Sequence, residues 1–450
     1  MTVLRIGAGS AWWGDRIEPA HDLATHGKLD YLCFETMAEV TLSIAQVRRR
    51  RDPAYPGYDS YLDERMAAVL PACLEHGTRI VSNQGWINPE GAAERTVEHL
   101  RNLGASGVKV AAVGGSLITD RILDLADRIL ENGEPLANLA DSIVSAEVYL
   151  GVEGILEALA GGADIVLTGR VADPSLFAAP MIHEFGWDMF DGALMGQALG
   201  IGHLMECGTQ VTGGYFPDPG YKDVPEPWNL GLPIAEVSRD GSVILTKLPG
   251  TGGAVDLRTV KEQMLYEIFD PANYITPDII VDFSTVRLEQ VGSDRVRVSG
   301  ISGKPRTDTL KVSIGCAEGF VGEDVFFFAG AGAMDRAKLA MQILQERFRM
   351  CGLAADEVRI DLLGVNALHG PATPSGFAEP YEVGLRIAAR TASRKEAEKI
   401  GREVDGMAVC GVGMTGKRIP AQERVREIVG IWSALIPRAS VTHNISWYEA

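Results

Sequence analysis

Two short spacings carry the residue types that proton chemistry needs. Arg170 and Asp173 stand three apart in Thr168-Gly169-Arg170-Val171-Ala172-Asp173, directly after the apolar run that ends at Thr168. A planar guanidinium fork matches a carboxylate or a developing enolate. The neighbouring aspartate either takes a proton or simply pairs with the arginine. His203 and Glu206 are also three apart, on one face if their segment is helical. An imidazole titrates near neutrality and a carboxylate can orient it, so this pair reads as a general acid/base or as a satisfied helix-end pair. Arg170, Asp173, His203 and Glu206 are the candidate catalytic residues.

Other residues are placed to hold a ligand. Gln210, Thr212, Gly213 and Gly214 form a donor-rich turn whose backbone N–H groups could hold an oxyanion or carboxylate. Asn83 and Asn88 offer amides beside Trp86, and Asp15, Arg16 and Glu39 follow other predicted strands. His183 would be the third ligand if His203 and Glu206 held a metal, but no H-E-x-x-H spacing supports that. Arg48 to Arg51 reads as a solvated helix end, or as a phosphate contact if the ligand carries phosphates. Gly7-Ala8-Gly9-Ser10 begins like a dinucleotide loop, yet Trp12 stands where the third glycine belongs, which obstructs the pyrophosphate. Neither a G-x-x-x-x-G-K-[ST] loop nor a G-x-S-x-G elbow occurs. No cofactor and no metal are expected.

The elements that must position these residues follow one rhythm. Apolar runs at 3–7, 29–34, 78–83, 108–113 and 164–168 each precede a turn and an amphipathic segment. That alternation predicts a parallel sheet with crossover helices, which places ligands beyond the carboxyl ends of the strands. Asp15, Asn83, Arg170 and Asp173 are therefore expected on one edge, with Arg170 within ~13 Å of Asn83. After about residue 205 a Pro-rich passage, 217–233, leads to strand-like stretches at 234–238, 243–248, 279–289, 296–299 and 310–315. Helices are expected over 333–348 and 393–404, strands over 358–363 and 382–390, and an extended tail over 441–447. The expected fold is α/β: a Rossmann-like parallel lobe over residues 1–205, with a mixed α+β lobe over 206–450 packed on it.

Composition narrows the partners. The chain of 450 residues has a formal charge of −18 and a pI near 5.0, which argues against nucleic acid. Its six cysteines show no C-x-x-C spacing and read as reduced thiols. The start lacks a signal-peptide pattern, and no stretch reaches the ~18 apolar residues of a membrane span. A cytoplasmic protein is expected, a homo-oligomer whose partner is a small acyl molecule.

Several segments occur in a set order: Trp13-Gly14-Asp15-Arg16, Leu29-Asp30-Tyr31-Leu32, Ala38-Glu39-Val40-Thr41, 83–89 (NQGWINP), 168–173 (TGRVAD), 183–187 (HEFGW), His203 to Glu206, 208–216 (GTQVTGGYF), Asp270-Pro271 and 274–278 (YITPD). Together they resemble the acyclic terpene utilisation AtuA family over essentially the whole chain. The match is to the family's core region, without the small extra C-terminal domain of larger members. The resemblance implies a catabolic setting in which branched acyl-CoA thioesters are carboxylated, hydrated and cleaved. It points to a cofactor-independent lyase or hydratase for a small or branched acyl substrate, as acyl-CoA or carboxylate. A metal-assisted hydrolase using His183, His203 and Glu206 is one alternative. A non-catalytic acyl-binding or carboxylase-associated subunit is another.

Overall fold

Four residues in a row, Tyr31-Leu32-Cys33-Phe34, are buried on both faces, as central strands of a parallel sheet require. The computed structural model describes residues 3–376, 378–413, 416–419 and 423–450. The strands of its first half are β1 (Val3–Ser10), β2 (Tyr31–Phe34), β3 (Arg79–Ser82), β4 (Lys109–Gly114), β5 (Ile143–Val148) and β6 (Ile165–Thr168). They are followed by β7 (Pro233–Ser238) and β8 (Val243–Lys247). The order β1-β2-β3-β6-β4 is parallel throughout. Antiparallel strands extend it on both sides: β7, β8, Arg295–Ser299 and Arg287–Gly292 beyond β1, and Asn444–Glu449 beyond β4.

Alternation along these strands sorts the core into two layers. Ile6, Cys33, Val81 and Val166 pack with the helices Glu153–Ala160, Ser175–Phe185 and Gly192–Glu206. Leu32, Phe34, Ile80 and Leu167 pack with Glu18–His26, Leu62–His76 and Pro89–Asn102 on the other face. The helix Gly192–Glu206 starts on an Asp191 side chain that accepts from the N–H groups of Ala193 and Leu194. A Cβ on its Gly202 would collide with the backbone of Pro174, so this glycine permits the close approach of the helix to the turn after β6.

Contacts divide the chain into two units, Met1–Gly315 with Ile431–Ala450, and Cys316–Gly430. Beyond residue 205, β7 and β8 extend the sheet of the first half. In the second unit, strands Glu357–Leu363 and Glu382–Thr391 pair antiparallel with each other, and Glu382–Thr391 pairs with residues 320–329. The helices Ala333–Met350 and Arg394–Cys410 pack on this sheet through Ala337, Leu344, Leu385, Ile387 and Ile400. The stretch expected as one strand over 279–289 is two, Ile280–Asp282 and Arg287–Gly292, split where the Asp282 side chain accepts from the Ser284 N–H. The stretch expected over 310–315 is part of a longer strand, Thr309–Ala329. Among the described residues, no helix is long and apolar enough to cross a membrane.

Candidate active site

At the carboxyl end of β6 the chain turns through Gly169 into Arg170, which is buried. Its backbone N–H donates to Ser116 Oγ at 3.2 Å, and its Nη2 donates to Asp173 Oδ1 at 2.7 Å. The guanidinium lies over the Tyr149 ring at 4.1 Å, a cation–π contact that holds its plane. Nε and Nη1 have no hydrogen-bond partner among the described residues. Glu35, Glu39, Glu147 and Asp173 crowd the surroundings of this one buried cation.

Burial raises every shifted carboxyl of this group, because a charge loses its water there. Asp173 is pushed up to about 6, since burial and the nearby Glu39 outweigh the pull of Arg170. Glu35 is held well above the ordinary range by burial and by Asp173. Glu147 reaches about 8 through burial, against the hydrogen bond it accepts from Ser116 Oγ. At neutral pH, then, Asp173 lies on the ionised side of its titration and Glu147 on the protonated side.

A cavity of about 610 Å³ opens beside this turn. Glu39, Asp173, Glu206 and Glu267 line it, with His203, Tyr149, Tyr274 and Lys311. Phe269, Ile275, Leu310 and Leu435 give it an apolar wall. Tyr274 comes from the short strand Tyr274–Ile275, and Lys311 from Thr309–Ala329.

His203 is buried against the rings of Tyr274 and Phe283, with centroids 5.3 and 5.9 Å away. Its Nε2 lies 3.1 Å from the Gln263 carbonyl oxygen, while the Gln263 side chain donates back to the His203 carbonyl at 2.9 Å. Nδ1 lies 2.9 Å from Glu206 Oε1. A carbonyl only accepts, so Nε2 carries the hydrogen. Burial pulls the imidazole down to about 4 despite that hydrogen bond. Burial, with Asp173 and Glu267 nearby, holds the Glu206 carboxyl well above its ordinary range. The pair therefore shares its proton as a neutral imidazole and a neutral carboxylic acid, with Glu206 Oε1–H donating to Nδ1. Glu206 Oε2 is left without a hydrogen-bond partner among the described residues.

The sequence-predicted residues separate cleanly. Glu39, Asp173, His203 and Glu206 line the cavity, and Arg170 reaches it through Asp173. Asn83 joins the cluster from behind: its Nδ2 donates to Glu35 Oε1 at 3.0 Å, and its Oδ1 accepts from the Thr36 N–H at 2.8 Å. Asn88 caps the helix Pro89–Asn102 by accepting from the Gly91 N–H. Asp15 accepts from the Ala11 N–H, and it lines a separate cavity of about 500 Å³ with Arg16, which donates to the Trp228 carbonyl. The N–H groups of Gly213 and Gly214 are spent within their own turn on the carbonyls of Gln210 and Thr209, and the Thr212 hydroxyl donates to Gly231 O. That turn offers no free donor row from Gly213 and Gly214. His183 sits in the helix Ser175–Phe185, outside the lining of the main cavity. Among the described residues, no group of three or more His, Cys, Asp or Glu is arranged to hold a metal ion. Both His203 nitrogens are already engaged.

Tyr149, Glu147, Glu267, Tyr274 and Lys311 escaped the chemical reading of the sequence. The alternation Val144, Ala146, Val148 against Ser145, Glu147, Tyr149 was the signal for β5 and its two site residues. Glu267 and Lys311 left none.

The fold and this site define an α/β protein with a carboxyl-rich, half-apolar cavity at the end of a parallel sheet. The chain belongs to the acyclic terpene utilisation AtuA family, whose model, described as acyclic terpene utilisation family protein AtuA, matches residues 4–447. No curated protein matches it.

Proposed function

We propose that this protein is a catabolic acid–base enzyme, a hydratase or carbon–carbon lyase acting on a small or branched acyl substrate without a cofactor. Family membership supports a role in acyclic terpene utilisation. The observation that carries the chemical reading is one cavity holding two carboxyls in opposite states: Asp173 raised only to about 6 beside Arg170, and Glu206 held protonated against His203. Adding or removing water, or cleaving a carbon–carbon bond next to a carbonyl, needs one group that takes a proton and one that gives a proton. Asp173 takes it. Glu206 gives it by turning its Oε1–H from His203 Nδ1 to the substrate, and His203, tied at both nitrogens, holds that proton in place until then instead of meeting the substrate itself. Arg170 is the counter-ion that keeps Asp173 ionisable. The apolar wall takes the branched carbon chain.

The test is incorporation of solvent deuterium into a panel of branched acyl thioesters, esters and free acids, followed by mass spectrometry. Exchange at the carbon next to the carbonyl, lost in Asp173→Asn, supports the reading. Absence of exchange and turnover across the panel with folded wild-type protein refutes it.

A further inference from the structure

The charged groups on the cavity wall are mostly of one sign. Glu39, Asp173 and Glu267 line it beside the protonated Glu206, against Lys311 as the one lysine or arginine among the described lining residues. Lys311 is exposed, with Nζ 5.3 Å from the centre of the Tyr149 ring. Arg170 keeps two N–H groups without a hydrogen-bond partner among the described residues, Nε and Nη1, but it is not part of the cavity wall. Its Nη2 already holds Asp173.

Glu39 and Glu267 are exposed, unlike the other two acids. Glu39 opens the helix Glu39–Arg51, and Glu267 sits in the loop after the helix Leu257–Leu265 with a left-handed φ of 60°. A non-glycine residue there is uncommon. Both carboxyls reach the reacting groups electrostatically: each raises Asp173, and Glu267 also raises Glu206. Buried polar atoms show what the wall awaits. The Tyr149 hydroxyl and Glu206 Oε2 are both buried and without a hydrogen-bond partner among the described residues, and both residues line the cavity. Burial keeps the Tyr149 phenol protonated, so it offers an O–H to a neutral acceptor such as a carbonyl oxygen.

We propose that Glu39 and Glu267 form a charge filter, which turns away a free carboxylate and admits an uncharged acyl derivative whose carbonyl oxygen accepts from the Tyr149 hydroxyl. A carboxylate would bring a further negative charge among carboxyls that one exposed lysine does not balance. An ester, amide or thioester of the same acid brings none. The proposal rests on the reading of this cavity as an acyl site, and it adds the residues that choose the substrate's charge.

Calorimetric titration of the full chain with dimethylacrylic acid, its methyl ester and its N-acetylcysteamine thioester tests it. The two uncharged forms should bind about tenfold or more tighter than the acid at neutral pH, a difference of about 1.4 kcal/mol. In the double variant Glu39→Gln/Glu267→Gln the acid should gain most of that factor while the ester and thioester stay within about twofold. Tyr149→Phe should weaken the ester and thioester, which lose the donor to their carbonyl oxygen. Equal or tighter binding of the acid to wild type overturns the proposal, as does failure of both uncharged forms to bind, or a double variant that discriminates like wild type. Uncharged forms that bind selectively but show no deuterium exchange would uphold the filter and refute the acid–base reading. Exchange with no discrimination would do the reverse.

Discussion

Two pairs in this protein share a spacing of three residues and differ in nearly everything else. Arg170 and Asp173 hold a full positive charge against a carboxyl that titrates at about 6. His203 and Glu206 hold a neutral ring against a neutral acid. Both pairs line or adjoin one cavity, so burial alone does not separate them. The partner does. A guanidinium cannot give up its charge, so the carboxyl beside it is drawn toward ionisation. An imidazole can, and in a buried site it does, leaving the proton on the carboxyl. One spacing thus yields a base and an acid.

The largest effect should come from removing the base. Asp173→Asn should lower turnover by roughly 10²–10⁴-fold with little change in melting temperature, since the amide still accepts from Arg170. Activity of the wild type should rise with pH through about 6, as Asp173 ionises, and the variant should lack that limb. A flat wild-type profile would assign the proton transfer elsewhere.

Next is the cation. Arg170→Met leaves the ionised Asp173 without its counter-charge, and should cost about 3–5 kcal/mol in denaturant unfolding at neutral pH. Arg170→Lys should recover part of this, because a point charge restores the field without the flat contact on Tyr149. Equal stability of the Met variant and wild type would show that Asp173 does not need the arginine.

Glu206→Gln sharpens the contrast most. If the pair is neutral, the glutamine amide donates to Nδ1 as the carboxylic acid did, and stability should change by less than about 1 kcal/mol while turnover falls by about 10²-fold. If the pair were an ion pair, the same change would strand a buried imidazolium and cost about 3–5 kcal/mol.

A further effect, on pH dependence, concerns Glu147. Its carboxyl is neutral in the folded protein up to about 8 and ionised in the unfolded chain above its ordinary value. The unfolded state therefore binds fewer protons between those limits, and stability should fall as pH rises through that window, levelling off above about 8. Glu147→Gln should flatten that decline in urea titrations. A variant with the wild-type slope would contradict it.

Much of this was legible before the fold was known. The parallel strands stood out as apolar runs, and Arg170, Asp173, His203 and Glu206 stood out by spacing and type. The roles were harder. Nothing in the sequence shows that Gln263 closes the second nitrogen of His203, because that contact joins two helices 60 residues apart. The donors of Gly213 and Gly214 looked available because a sequence shows N–H groups but not the carbonyls that consume them. Asn88 was a cap, one of the ordinary uses of asparagine at that position. Tyr149 was missed with the strand it follows, β5, which lies outside the ten-stranded sheet and pairs with Thr309–Ala329 instead.

The contrast between the two pairs is tested most directly by a pH titration of side-chain carboxyl ¹³C resonances, with Asp173 and Glu206 assigned from the Asp173→Asn and Glu206→Gln variants. Asp173 should lose its proton at about 6, while Glu206 should keep its own through neutrality. A Glu206 resonance already ionised at neutral pH, with a charged His203 ring beside it, would contradict the account.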